Sequence, residues 1–166
     1  MLQPAARNPH RPDRETAART DDHMALRLWL RLLTCTQILE RRVRARLRER
    51  FGTTLPRFDL MSQLWRYPAG LKMNELSRHL MVTGGNVTGI VDPLESEGLV
   101  ERAAEPADRR AYRVRLTRAG RKSFGEMARA HESWIVESLA GLSRREQAEL
   151  YRLLAKVKQV TLEAAR

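Results

Sequence analysis

Apolar residues recur at helical spacing over most of this chain and switch to alternation in one short region. From Asp21 to Phe51 a single stripe runs through Leu28, Leu32, Cys35, Leu39, Val43 and Leu47, with Asp21 and Asp22 near the end where the helix dipole favours negative charge. The segment Gly52 to Pro56 breaks that pattern. FDLMSQLWRY predicts a short second helix ending before Pro68, a Pro68–Ala69–Gly70 turn follows, and LKMNELSRHL predicts a third helix. After a turn at Met81–Val82, the residues Val87, Ile90, Val91 and Leu94 share one face of a fourth helix. Thr83 can cap it, and Gly98 ends it as a residue free to adopt positive φ.

Two alternating runs come next, Leu99 to Ala103 and Ala111 to Thr117, joined by a loop that carries Asp108, Arg109 and Arg110. Period-two alternation sends Tyr112, Val114 and Leu116 to the core and turns Arg113 and Arg115 outward. From Arg118 to Leu139 helical spacing returns, with Phe124, Met127, His131 and Trp134 on one stripe and Gly141 as its stop. Ser143 and Glu146 form an S-x-x-E capping box for a last helix, whose apolar face is Leu150, Leu153, Leu154, Val157 and Val160. The two terminal helical regions carry more apolar surface than one small subunit can cover. That predicts a dimerisation region built from both chain ends.

At 166 residues the chain is one domain or one domain with an appendage. Residues 1–20 hold three prolines, several arginines and almost no large apolar side chains, so a disordered basic arm is expected there. Residues 21–51 read as an N-terminal helix, 52–120 as the central domain and 121–166 as the C-terminal helices. Apolar stretches fall short of the roughly 20 residues a bilayer span needs, and no secretory leader is visible, which predicts a cytoplasmic protein without a membrane partner. The lone cysteine, Cys35, excludes an internal disulfide framework; on the apolar stripe of the first helix it reads as a buried, inert small hydrophobe. His10, His23, His79 and His131 show no ligand spacing, so neither metal nor cofactor is expected. Gly84–Gly85 opens a helix but lacks the lysine of a phosphate loop, and no nucleophile–base set stands in a convincing context, which argues against an enzyme.

The net charge of +11 adds a partner class: 31 Lys and Arg, mostly arginine, against 20 Asp and Glu suit a polyanion. A helix able to enter a major groove, followed by a hairpin with arginines at its tip, is the pattern of a winged helix-turn-helix. The fold class expected is therefore mainly α (an α+β winged helix), with N- and C-terminal helices forming a dimerisation domain.

The order of elements, with LPRFDLMSQL, MNELSRHL, VTGGNVTGIVDPLESEGLVER and DRRAYRVRLTRAG, resembles the MarR family of bacterial transcription regulators over roughly residues 24 to 162. The resemblance implies a homodimer that binds double-stranded DNA at a pseudo-palindromic operator, usually as a repressor released by a small-molecule effector. Carried over residue by residue, it implies DNA contacts from Arg78, Thr83, Gly84, Gly85, Asn86 and Thr88. It also implies a wing-tip arginine in the minor groove at Arg109, oriented by Asp108, with Arg110 and Arg113 meeting phosphates. Family members often carry arginines in the recognition helix where this chain has Gly89 and Pro93, so base contacts are not carried over there, and a kink at Pro93 is plausible.

The resemblance further implies an effector cavity between the first, second and fifth helices, for which Leu39, Arg42, Arg46, Trp65, His131 and Trp134 are the candidates. The basic run Glu40 to Arg50 could hold a phosphorylated effector such as a coenzyme A thioester, and TGGNVT resembles the recognition helix of relatives that respond to aromatic acids or their coenzyme A esters. Each of these has a plainer reading: a charge run is a solvated face, Trp65 and Trp134 are core anchors, and His131 is a satisfied core histidine. Alternatives to a specific regulator are a non-specific DNA-organising protein, a winged-helix protein-interaction module, and a thiol-based redox sensor acting through Cys35.

Overall fold

The computed structural model describes residues 24–81, 83–105 and 108–164; the arm expected over 1–20, Asp21, Asp22 and Val82 lie outside them. In chain order the elements are α1 (Met24–Phe51), α2 (Leu55–Arg66), α3 (Met73–Leu80), α4 (Gly84–Ser96), β1 (Val100–Glu105), β2 (Asp108–Leu116), α5 (Arg118–Ser138) and α6 (Arg144–Ala164). The fold is mainly α with one two-stranded antiparallel sheet, a winged helix as expected. The chain divides into two compact units, residues 1–42 and 43–166. In the first, α1 presents Met24, Leu26, Leu28, Trp29 and Ile38 as exposed side chains.

In the second unit α2 is central, packing against α3, α4, α5 and β2. Its Phe58, Leu60, Met61 and Leu64 are buried with Val43 and Leu47 of α1, Leu76 of α3 and Val87, Val91 and Leu94 of α4. Each such side chain withdrawn from water contributes about 1.5–3 kcal/mol before entropy is counted. Phe124, Met127 and Trp134 of α5 close the core from the other side, as their spacing predicts. The capping box forms: the Ser143 N–H donates to Glu146 Oε2 at 2.8 Å and the Glu146 N–H donates to Ser143 Oγ at 3.3 Å.

The root of the hairpin is fastened by a pairing that no alternation signals. Leu71 and Val114 exchange both backbone hydrogen bonds, at 3.0 and 2.8 Å. Gly70 makes this possible: its φ is +87°, and a Cβ there would lie 2.8 Å from the Val114 carbonyl oxygen.

Several expectations are corrected. Pro56 lies inside the first turn of α2, where its missing N–H costs nothing and its fixed φ suits a helix start. Asp108, Arg109 and Arg110 belong to the backbone of β2, with Asp108 opposite Glu105, because the strands pair further than their alternation shows. Tyr112 is 40 % exposed: it shares a face with Val114 and Leu116 but lies beyond the edge of the core. α5 ends at Ser138, before Gly141. By contrast, helix α4 runs to Ser96 with Pro93 inside it and Gly98 follows at φ +69°, the stop expected of it. Cys35 is exposed, as is Leu28, because only the C-terminal part of the α1 stripe, at Val43 and Leu47, is buried.

Candidate nucleic-acid interface

The reversal between α3 and α4 is short because Met81 takes the left-handed conformation, φ 54° and ψ 38°, with its side chain 93 % exposed. At the other end of α3 the Lys72 N–H donates to Glu75 Oε2 at 2.8 Å. Thr83 then occupies the N-cap of α4 in extended conformation but makes no side-chain cap hydrogen bond, a correction to its expected capping role. With no acidic residue in the first turn of α4 either, the N–H groups of that turn are left for an anion, and the helix dipole favours one there.

Burial fixes which face of α4 points outward. Val87, Val91 and Leu94 are fully buried, so Gly84, Gly85, Asn86, Thr88 and Gly89 are exposed on the remaining surface. The Thr88 hydroxyl donates to the Gly84 carbonyl at 3.3 Å, which leaves its lone pairs outward. A Cβ on Gly89 would meet nothing within 4 Å, so glycine is not required there by the fold; it leaves backbone open to close approach.

Arg78, Gly84 and Thr88 converge on one cleft of about 860 Å³, shared with Met73, Asn74, Ser77 and Tyr112. Three elements, α3, α4 and β2, therefore contribute to one concave surface. Asn74, Ser77 and Tyr112 were absent from the sequence-based candidates. Asn74, Ser77 and Arg78 stand at i, i+3 and i+4 on α3, a polar stripe that could have been read from spacing. Arg78 is itself anchored, its Nε donating to the Asn74 carbonyl at 3.4 Å.

The arginines of the hairpin divide into two groups. Those of β1 and the root of β2 are engaged within the protein. Arg113, expected to meet phosphate, donates to the Gly70 carbonyl at 3.1 Å, lies 3.5 Å from Glu75 Oε2 and stays partly exposed. Arg115 donates to Glu101 across the sheet at 2.7 Å. Arg102 binds Asp92 and Glu95 of α4 and lies over the Tyr112 ring, 5.4 Å from its centroid. Its hydrogen bond with Asp92 holds its pKa above the ordinary arginine value. The second group is Arg109 and Arg110 with Asp108, at the distal start of β2; their side chains lie outside the described part of the structure.

Of the effector candidates, Leu39 and Arg42 belong to the first unit, partly buried and exposed respectively. The other four are in the second. Arg46 binds both carboxylate oxygens of Glu137, at 2.7 and 3.0 Å, and its guanidinium lies 5.8 Å from the centroid of the buried Trp134 ring. His131 stacks at 5.0 Å on Phe58, and burial pushes its pKa down. Trp65 is 46 % exposed and packs 5.5 Å from Phe124, which in turn lies 5.3 Å from Phe58. Trp65, Phe124, Phe58 and His131 thus form a row of rings between α2 and α5.

Comparison with known proteins gives a consistent picture. The model of the MarR family matches residues 53–112, the span from the start of α2 into the wing. The HTH-type transcriptional regulator YkoM of Bacillus subtilis is 33% identical over 85 residues, covering 51% of this chain and 55% of that protein. The transcriptional activatory protein BadR of Rhodopseudomonas palustris is 30% identical over 116 residues, 69% of this chain and 66% of that protein. The chain thus spans just over half to about two thirds of the length of these curated relatives. Among solved structures, a MarR family transcriptional regulator from Silicibacter pomeroyi is 31% identical, with a TM-score of 0.71 over 86% of this chain and 99% of that one.

Proposed function

The chain belongs to the MarR family, and on that premise we propose that it is a homodimeric, sequence-specific DNA-binding transcription repressor released by a small-molecule effector. The observation that carries the DNA-binding reading is the convergence of α3, α4 and β2 on one cleft beside the exposed first turn of α4. In a complex that turn enters the major groove, with Asn86 and Thr88 towards base edges and Thr83, Gly84, Gly85 and Arg78 against the backbone. Arg109 reaches the adjacent minor groove from the far end of the hairpin, with Asp108 orienting it and Arg110 near phosphate.

The dimer reading rests on α6, where no residue is buried and Leu150, Leu153, Leu154, Val157, Val160 and Leu162 are each 40 % or more exposed. An apolar groove of about 760 Å³ lies between the end of α5 and α6, lined by Val136, Leu139, Leu142, Leu150, Tyr151 and Leu154 among others. A second copy covers such a surface at no cost in specificity and gives the two-fold symmetry that a pseudo-palindrome matches, with half-sites about 34–36 Å apart. The effector is an aromatic acid or its coenzyme A thioester. Arg46, whose guanidinium lies over Trp134 and already binds the Glu137 carboxylate, supplies the geometry for an effector carboxylate by exchange with Glu137. Binding there would change the spacing of the two reading heads. Among the described residues no helix is long and apolar enough to cross a membrane; the place of action in this reading is the cytoplasm.

The test is equilibrium binding of the full chain to the DNA upstream of its own gene and to a scrambled duplex, at near-physiological salt, with the mass in solution measured in parallel. A preference of about a thousandfold or more and a two-chain mass are expected. Equal affinity for both duplexes, with a steep salt dependence, would replace this reading with non-specific DNA organisation. Unchanged operator affinity with benzoate, larger aromatic acids and their coenzyme A esters would remove the effector part alone.

A further inference from the structure

The wing is a two-stranded hairpin, and two strands on their own are marginally stable in water. Its root is fixed by Val114, fully buried and bridged to Leu71, and by Val100 and Leu116. Beyond Val114 the strands leave the core: Ala104 and Tyr112, which face each other, are exposed. Something other than core packing must therefore set the direction in which the outer wing leans.

Arg102 is the residue placed to do so. It lies on β1 opposite Val114, at the level where the core stops. Its guanidinium binds Asp92 and Glu95, one turn apart on α4, and its own backbone N–H donates to Glu95 Oε1 at 3.2 Å. The same guanidinium lies over the ring of Tyr112 on β2, 5.4 Å from its centroid. One side chain thus ties both wing strands to the recognition helix, using the planar fork and the stacking face that lysine lacks. The two carboxylates need an account of their own. On the helix proposed to enter the groove of a polyanion, Asp92 and Glu95 repel phosphate, and a helix serving DNA contact alone would do better without them.

We propose that Arg102 is a positioning residue that fixes the wing relative to the recognition helix, so that α4 and the distal wing engage one duplex together. Resting on the DNA-binding reading above, it gives Asp92, Glu95 and Tyr112 a role in DNA affinity without any contact to DNA.

The sign of one substitution separates this from simple electrostatics. The double variant Asp92→Asn, Glu95→Gln removes two negative charges and leaves Arg102 available to phosphate. If Arg102 were a DNA contact, or if only net charge mattered, operator binding would tighten. As a positioning device it must weaken, by about tenfold, despite the more positive protein. Thermal unfolding accompanies each variant, since these groups are on the surface and the fold should survive their loss. The second measurement is a cycle with Arg109→Ala. Arg102→Met should weaken binding by about tenfold in the parent protein and by much less once Arg109→Ala has removed what the wing delivers. A loss caused by general loosening of the fold would instead appear in both backgrounds.

Unchanged or tighter binding by the double variant, or additive effects of Arg102→Met and Arg109→Ala, would overturn the assignment. Failure of the parent protein to prefer its operator would remove the DNA-binding reading itself and the inference with it, whereas an Arg109→Ala variant with full affinity would remove the wing contact and overturn the inference alone.

Discussion

Alanine in place of Gly120 should destabilise this protein, although alanine is the better helix former. Gly120 is the third residue of α5. On an open helix face the exchange gains about 1 kcal/mol from intrinsic propensity. Here the added Cβ would lie 1.9 Å from the Leu99 carbonyl oxygen and 2.8 Å from its carbon, with Leu116 Cδ2 at 3.3 Å. That carbonyl cannot swing aside, because it accepts from the Thr117 N–H at 3.1 Å and lies 3.3 Å from the Thr117 hydroxyl. The start of α5 must instead lift off the wing root, which strains the N-cap bond from the Gly120 N–H to Thr117 Oγ1, now 3.0 Å. Overpacking costs about 1–3 kcal/mol and the weakened hydrogen bond about 1 kcal/mol, so a net loss of about 1–3 kcal/mol is expected after the helix gain is subtracted. Urea unfolding followed by circular dichroism, at fixed protein concentration, measures it. Gly125→Ala is the control in the same helix: its Cβ meets nothing closer than 4.0 Å, and it should be neutral or stabilising. Equal stability of the two variants would refute the close-approach argument.

Three further outcomes are expected. Arg109→Ala should weaken operator binding by about 1–3 kcal/mol in a fluorescence titration, with little change in stability. Met81→Gly should stabilise by about 0.5–1 kcal/mol in urea unfolding, because glycine relieves the left-handed conformation and the exposed methionine side chain gives up little packing. Burial lowers the His131 pKa below its ordinary 6.5, so the unfolded chain binds that proton more readily than the native one. Stability should be complete above pH 6.5 and fall as pH drops through it, and His131→Gln should flatten that part of the stability–pH curve measured by denaturant titration.

Much of the architecture was legible because it depends on local periodicity. The buried positions of α4 and α5, the Ser143–Glu146 box and the Gly98 stop each follow from spacing within one element or from a residue's own conformational range. The exposed α4 face followed by elimination, since burying Val87, Val91 and Leu94 leaves Gly84, Asn86 and Thr88 outside. What periodicity could not supply is where a core ends along a strand. Tyr112 has the parity of Val114 and Leu116, yet lies past the last core layer, and its parity alone predicts the wrong environment. The same limit applies to α1, whose single apolar stripe is buried at Val43 and Leu47 but exposed at Leu28 and Cys35.

The pairing of side chains distant in sequence was likewise invisible. An arginine reads as a free cation until its neighbours are known: Arg113 meets Gly70 across 43 positions and Arg46 meets Glu137 across 91. The sequence by itself determined the helices, the hairpin, the family and the outward face of the recognition helix, because hydrophobic spacing and turn chemistry act over a few residues. Only the tertiary structure decided that, among the described residues, Arg46, Arg102, Arg113 and Arg115 meet the protein's own carboxylates. It also decided that Gly70 and Gly120 are required by the close approach of another backbone, and that Arg102 joins wing to helix. Those outcomes depend on distances between elements, which no local pattern encodes.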